Sequence, residues 1–218
     1  MDSKLYFDFT SPYSYLLWEK LIQTKFDFSK VIIKPVVVGK IINDVGSVGP
    51  AGIPSKRNFL FQDCIRKAHR SNIKFQAPAR LPFNPMDLLR FACALENNQA
   101  KQIEFITNTF RFGWRDGGDY ESFSKFKSWI MDTCHFTEEE YENLNSDRNA
   151  RKQLKLNIQD AIESQVFGVP SLTNKGTVFW GLDAFEDFQA SLKGEDPLNM
   201  HLSVYKKFID IVQGEQNG

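Results

Sequence analysis

The sequence predicts an α/β fold in which a β-α-β unit at the start and a β-β-α unit near the end flank a long all-helical segment. Three observations carry this. Leu5-Tyr6-Phe7-Asp8-Phe9 is a short apolar and aromatic run of strand type, followed by a helix-spaced segment and a β-branched run. From Ser55 to about Gln165 nearly every signal is helical, and strand character returns only at Val169. The chain therefore divides into 1–44 with 166–218, carrying the sheet, and 45–165, a loop and helical insertion.

The first helix is expected from Ser11 to about Lys25. Ser is a favoured N-cap, Pro12 suits the first helical position because its missing N–H would be unpaired there, and Leu16, Leu17, Trp18, Leu21 and Ile22 form an apolar face. Val31-Ile32-Ile33 and Val36-Val37-Val38 predict a second strand, with Pro35 tolerated at an edge or bulge. The stretch Val45 to Gly52 is too rich in Gly and Pro for helix or strand and reads as a loop. Helical segments then follow around Phe59 to Ala68, Asn84 to Leu95, Ile103 to Phe110, Tyr120 to Met131, Thr137 to Leu144 and Arg148 to Gln165. Phe110, Phe112, Trp114, Phe123, Phe126 and Trp129 lie among them as core aromatics or as walls of an apolar cavity. Gly168 reads as the residue that ends the last helix. Val169 to Thr173 and Thr177 to Trp180 form a hairpin about Asn174-Lys175-Gly176, Asp183 opens a helix to Leu192, and Leu202 to Val212 packs on the body or on a partner subunit.

Twenty-seven basic residues balance 27 acidic ones, so nothing in the charge suggests a nucleic-acid or anionic-membrane partner. The expected partner is a small molecule. Cys64, Cys93 and Cys134 are odd in number and widely spaced, which fits buried reduced thiols better than a disulfide framework. His69, His135 and His201 make no metal-ligand pattern with them, so no metal is expected. No signal peptide or transmembrane span is read, and the expected location is cytoplasmic.

Candidate chemistry begins at Ser11. A helix start concentrates partial positive charge and unpaired amides, and this stabilises an anion such as a thiolate. The alternative is that Ser11 only caps its helix. Phe7-Asp8-Phe9-Thr10-Ser11-Pro12-Tyr13-Ser14-Tyr15 closely resembles the opening of the kappa-class glutathione transferases and the 2-hydroxychromene-2-carboxylate isomerases. These form the DsbA-like branch of the thioredoxin-like proteins in which serine replaces the redox cysteine. Ser11-Pro12-Tyr13-Ser14 stands where redox members carry Cys-x-x-Cys, so disulfide exchange is not expected.

The resemblance implies a thioredoxin-like fold with a large helical insertion, glutathione as cofactor, a homodimer, and Ser11 as the catalytic group that binds glutathione sulfur. Val166-Phe167-Gly168-Val169-Pro170 is similar to the family's Phe-Gly-Val-Pro signature, which implies a cis peptide before Pro170 and a Val169 backbone turned toward the ligand. A lone X-Pro would otherwise be trans. Gly181-Leu182-Asp183 is similar to a family Gly-x-Asp-Arg segment, implying that Leu182 and Asp183 hold the γ-glutamyl end of glutathione. Read by itself, Asp183 is a helix-capping carboxylate. Ala184 replaces the family arginine. The loop places Ser47 and Lys56 at the family's ligand-contacting positions, although a lone lysine is more often a solvated one. Asp63, Arg66, Ala68, Phe75, Pro78 and Leu81 to Pro85 continue the likeness, which covers roughly residues 4 to 192.

Three functions follow from these residues. One is a glutathione-dependent isomerase that adds thiolate reversibly to a conjugated aromatic 2-oxo acid. The second is a kappa-class-like transferase acting on small electrophiles, and the third is a non-catalytic thioredoxin-like binding module.

Overall fold

The computed structural model of the protein describes residues 3–215 and contains, among them, a four-stranded sheet in the order β2-β1-β3-β4. β1 (Lys4–Phe7) runs parallel to the edge strand β2 (Ile32–Pro35), with Lys4 opposite Ile32 and Phe7 opposite Pro35. Between them lies α1 (Pro12–Gln23). β3 (Ser171–Asn174) returns antiparallel to β1 and pairs with β4 (Thr177–Trp180). Central β1 buries Leu5, Tyr6 and Phe7 completely, which is why this segment reads as a continuous apolar run.

Both N-terminal strands stop earlier than the sequence predicts. Pro35 has no N–H for the ladder, and the Val38 N–H donates to Asp8 Oδ2 at 2.9 Å. Val38 therefore starts a short helix, α2 (Val38–Asp44), where a strand is expected. The hairpin turn is also tighter: Asn174 stays in the ladder opposite Thr177, and Lys175 and Gly176 both have positive φ, +48° and +82°. That is the conformation a two-residue hairpin turn needs to match strand twist.

The insertion comprises α3 (Pro54–Arg70), α4 (Met86–Ala94), α5 (Gln99–Phe110), α6 (Phe123–Thr133), α7 (Glu138–Asn145) and α8 (Arg148–Glu163). A π-type turn, Arg111–Arg115, continues α5. α7 has the full capping box, Thr137 accepting from the Glu140 N–H and Glu140 accepting from the Thr137 N–H. Gln165, not Gly168, terminates α8 in left-handed conformation at φ +58°, its N–H on Ile162 and the next N–H on Ala161 at 2.9 Å each. Gly168 instead lies under an indole; a Cβ there would stand 3.0 Å from Trp180 Nε1.

One continuous core joins the sheet to the insertion. Phe110 of α5 contacts the rings of Phe7, Phe9, Tyr15 and Trp18 at centroid separations of 4.9–6.2 Å. Directional bonds fix the register of this contact: Trp114 Nε1 donates to the Phe9 carbonyl at 2.8 Å, and Arg111 grips Glu19 through two bonds of 2.7 and 3.0 Å. Phe112 packs on Tyr120, Phe126 and Trp129, while Phe123 is exposed. These aromatics fill the core among themselves.

α9 (Phe185–Lys193) and α10 (Leu202–Glu215) complete the chain. α10 leaves Leu202, Val204, Tyr205, Phe208, Ile211 and Val212 exposed, so it does not pack its apolar face on its own body. Among the described residues no helix is long and apolar enough to cross a membrane.

Two stability outcomes follow. A Cβ at Gly113 would overlap the Tyr120 ring, whose hydroxyl is committed to the Thr109 carbonyl at 2.7 Å. Gly113→Ala is expected to cost ~1–3 kcal/mol in denaturant unfolding, and an unchanged midpoint would show that the ring yields freely. Burial tends to raise the Asp160 pKa, but Lys4 at 2.5 Å, the Tyr6 hydroxyl at 2.8 Å and nearby Lys34 outweigh it and hold the carboxyl below its ordinary 3.8. The unfolded chain thus binds the proton more readily, and this stabilisation is present above pH 3.8 and lost as pH falls through the native value. Asp160→Asn should flatten that acid limb; an unaltered slope would remove Asp160 from it.

Candidate active site

The site is built where β1 hands over to α1. Asp8, fully buried, accepts the Thr10 N–H and hydroxyl and the Val38 N–H, each at 2.9 Å. Burial pushes its pKa up, and the three hydrogen bonds recover only part of that shift. The Asp8 carbonyl also accepts the Ser11 N–H at 3.1 Å, so this residue sets where the helix begins.

Ser11 is the N-cap, in extended conformation, with Pro12 in the first helical position. Its Oγ accepts the Ser14 N–H at 3.1 Å and points its own hydrogen toward the Val169 carbonyl at 3.4 Å. Capping therefore uses only part of this hydroxyl. The cap consumes a lone pair, while the hydrogen sits in a long, weak bond that a better acceptor can replace. Val169-Pro170 is cis. A second cis bond, Leu81-Pro82, is one the sequence reading did not anticipate.

Ser11 and Val169-Pro170 thus come together across 158 residues of chain. Gly181 follows closely, its N–H on the Pro170 carbonyl at 2.9 Å and its φ of +86° open to glycine above other residues. Exposed Phe167 and Trp180 pair at 5.3 Å on the same flank, giving it an aromatic surface.

Asp183 departs from its expected role as a helix opener or cap. α9 starts two residues later, with Ala184 as N-cap and no side-chain capping bond, and half-buried Leu182 likewise lies ahead of the helix. Both Asp183 oxygens instead contact Lys67 Nζ, at 2.7 and 2.5 Å. Lys67 also lies 3.6 Å from Asp63, and Asp63 accepts the Tyr13 hydroxyl at 2.6 Å. Asp183 is thereby tied to the first turn of α1 through α3. Tyr13, Asp63 and Lys67 were missed as site residues; an acid and a lysine four apart beside buried Leu60, Cys64 and Ala68 was the available signal.

Ser47 and Lys56 are exposed, and among the described residues no hydrogen bond or ion pair links their side chains to Ser11, Val169 or Asp183. Lys56 does share a face of α3 with Asp63, seven residues and roughly 10 Å along the helix. All three cysteines are buried, with the Cys64 and Cys93 thiols pushed up to about 12 by burial, so the site offers no reactive thiol of its own.

A family model described as a DSBA-like thioredoxin domain matches residues 4–193. The chain belongs to the DsbA-like thioredoxin family. Its fold is that family's thioredoxin-like sheet carrying a large helical insertion. A relative from Pseudomonas putida, named 2-hydroxychromene-2-carboxylate isomerase, is 26% identical over 183 residues, covering 82% of this chain and 87% of the relative. Another of that name, from Pseudomonas sp. (strain C18), is 27% identical over 184 residues, covering 82% and 84%. A solved 2-hydroxychromene-2-carboxylate isomerase superposes with a TM-score of 0.76 at 22% identity, covering 93% of this chain and 99% of that one, a likeness of fold.

Asp8→Ala would strand two backbone amides in this handover. The expected loss is ~2–4 kcal/mol in thermal or denaturant unfolding. A loss below ~1 kcal/mol would show that other groups place Ser11.

Proposed function

We propose that this DsbA-like protein is a glutathione-dependent isomerase of the 2-hydroxychromene-2-carboxylate type, acting on a conjugated aromatic 2-oxo acid. The observation that carries the reading is the Ser11 hydroxyl at the open end of α1, its hydrogen held only by the long bond to Val169. The names of its relatives support the reaction class.

In this reading glutathione lies with its sulfur against Ser11, its backbone along Val169-Pro170, its γ-glutamyl ammonium toward Asp183 beside Leu182, and its far carboxylate toward Lys56 and Ser47. Free glutathione titrates near the cysteine value of about 8.5, so little thiolate exists at neutral pH. Lowering that by two units takes ~2.7 kcal/mol of preferential thiolate stabilisation. A hydrogen bond from Ser11 and the partial positive charge of the α1 terminus together reach this range. Pro12 has no N–H and the Ser14 N–H is taken by Ser11, so Tyr13 supplies the first-turn amide for the anion.

The thiolate adds to the conjugated double bond, which becomes a single bond and rotates. Expulsion of the same thiolate restores the double bond in the other geometry and returns glutathione unchanged, so no oxidant, reductant or metal enters the balance. Serine cannot form a mixed disulfide, and the protein's own thiols are buried away from this chemistry.

The test is calorimetric titration with reduced glutathione, followed by assay of conjugated 2-oxo acids. Binding weakened about tenfold by Asp183→Ala, roughly 1.4 kcal/mol, is expected. Absence of binding at millimolar glutathione would defeat the enzymatic reading and leave a non-catalytic module. Ser11→Ala should abolish the thiolate absorbance of the bound complex and, by the linkage of a two-unit shift, weaken binding by about fourfold at pH 7; a persisting thiolate signal would reduce Ser11 to a helix cap. Sedimentation would check the homodimer that belongs to the same reading.

A further inference from the structure

An ion network formed by Lys67 and Asp63 lies beneath Asp183. Asp183 lies in an exposed turn, its side chain 79% accessible, and such a carboxylate ordinarily samples several rotamers. Here Lys67 takes both of its oxygens. The Lys67 and Asp63 side chains are only 12% and 17% accessible, so the anchor itself is largely out of water. Lys67 reaches Asp63 at 3.6 Å with its remaining capacity, and Asp63 is held in turn by Tyr13 of α1.

We infer that Lys67 is a positioning and specificity-determining residue, which fixes the Asp183 carboxylate beside the α1 opening and makes the site selective for thiols that carry an ammonium group. This rests on glutathione being the ligand. Two carboxylates and one lysine leave a single net negative charge, which one ligand ammonium balances. A carboxylate has about four lone-pair sites and Lys67 uses two on Asp183, so acceptor capacity remains on its exposed side. Loss of the lysine has a definite direction. Largely buried Asp63 would then face Asp183 with no cation between them, and like-charge repulsion would move the exposed partner, Asp183, out into solvent.

The experiment compares the wild-type protein with Lys67→Met and Lys67→Arg, titrated with reduced glutathione and with glutathione whose α-amine has been removed. Wild type is expected to bind glutathione about tenfold more tightly than the deaminated thiol. Lys67→Met should lose that preference while binding the deaminated thiol as wild type does, and Lys67→Arg should restore most of it. A merely structural lysine would weaken both ligands equally, and that result would overturn the inference. So would glutathione binding by Lys67→Met that is unchanged or tighter, which would make Lys67 a competitor for Asp183. If wild type bound neither thiol, the glutathione reading itself would fall. If wild type bound both equally, the reading would stand and ammonium selectivity would fail.

Discussion

A single buried carboxylate organises the junction of β1 with α1. Asp8 accepts from Thr10 twice and from Val38 once, and its carbonyl takes the Ser11 amide. Each bond redirects a segment of chain: one turns the end of β1 into α1, and another draws the exit of β2 across to begin α2. Burying a carboxylate is costly, and hydrogen bonds to both of its oxygens offset part of that cost. Serine stands at the mouth of α1 in an extended cap conformation, its amide held by the Asp8 carbonyl.

The helical insertion is bound to that same junction. The Trp114 indole bonds the carbonyl of Phe9, one residue beyond Asp8, and Phe110 lies against Phe7, Phe9, Tyr15 and Trp18. Apolar burial supplies most of the energy of this contact, and the few directional bonds select one register among many apolar alternatives. The insertion thus serves the site twice. It stiffens the base of α1, and through α3 it brings Asp63 and Lys67 to the β4–α9 turn.

Much of the element order was legible because it rests on local chemistry. The Ser11-Pro12 start, the Thr137-Glu140 capping box and the alternation around Lys175-Gly176 each carry their cause within four residues. Mistakes occurred where a distant group decided. Val38 left the strand because Asp8, 30 residues earlier, claimed its amide. Asp183 left its expected cap because Lys67, 116 residues away, held both of its oxygens. No window along the chain contains these pairs.

By itself the sequence determined that a strand ends at a serine-capped helix, that Cys-x-x-Cys is absent there, and that a helical block separates two β-bearing ends. It also marked Val169-Pro170 and Asp183 for the site. Only the tertiary structure decided which of these meet. Ser11 reaches Val169 across 158 residues, and Asp183 joins α1 through Tyr13, Asp63 and Lys67, whereas Ser47 and Lys56 remain outside that network. The physical reason is range: capping and turn formation act over a few residues, but salt bridges and hydrogen bonds between elements exist only after apolar burial has brought those elements together.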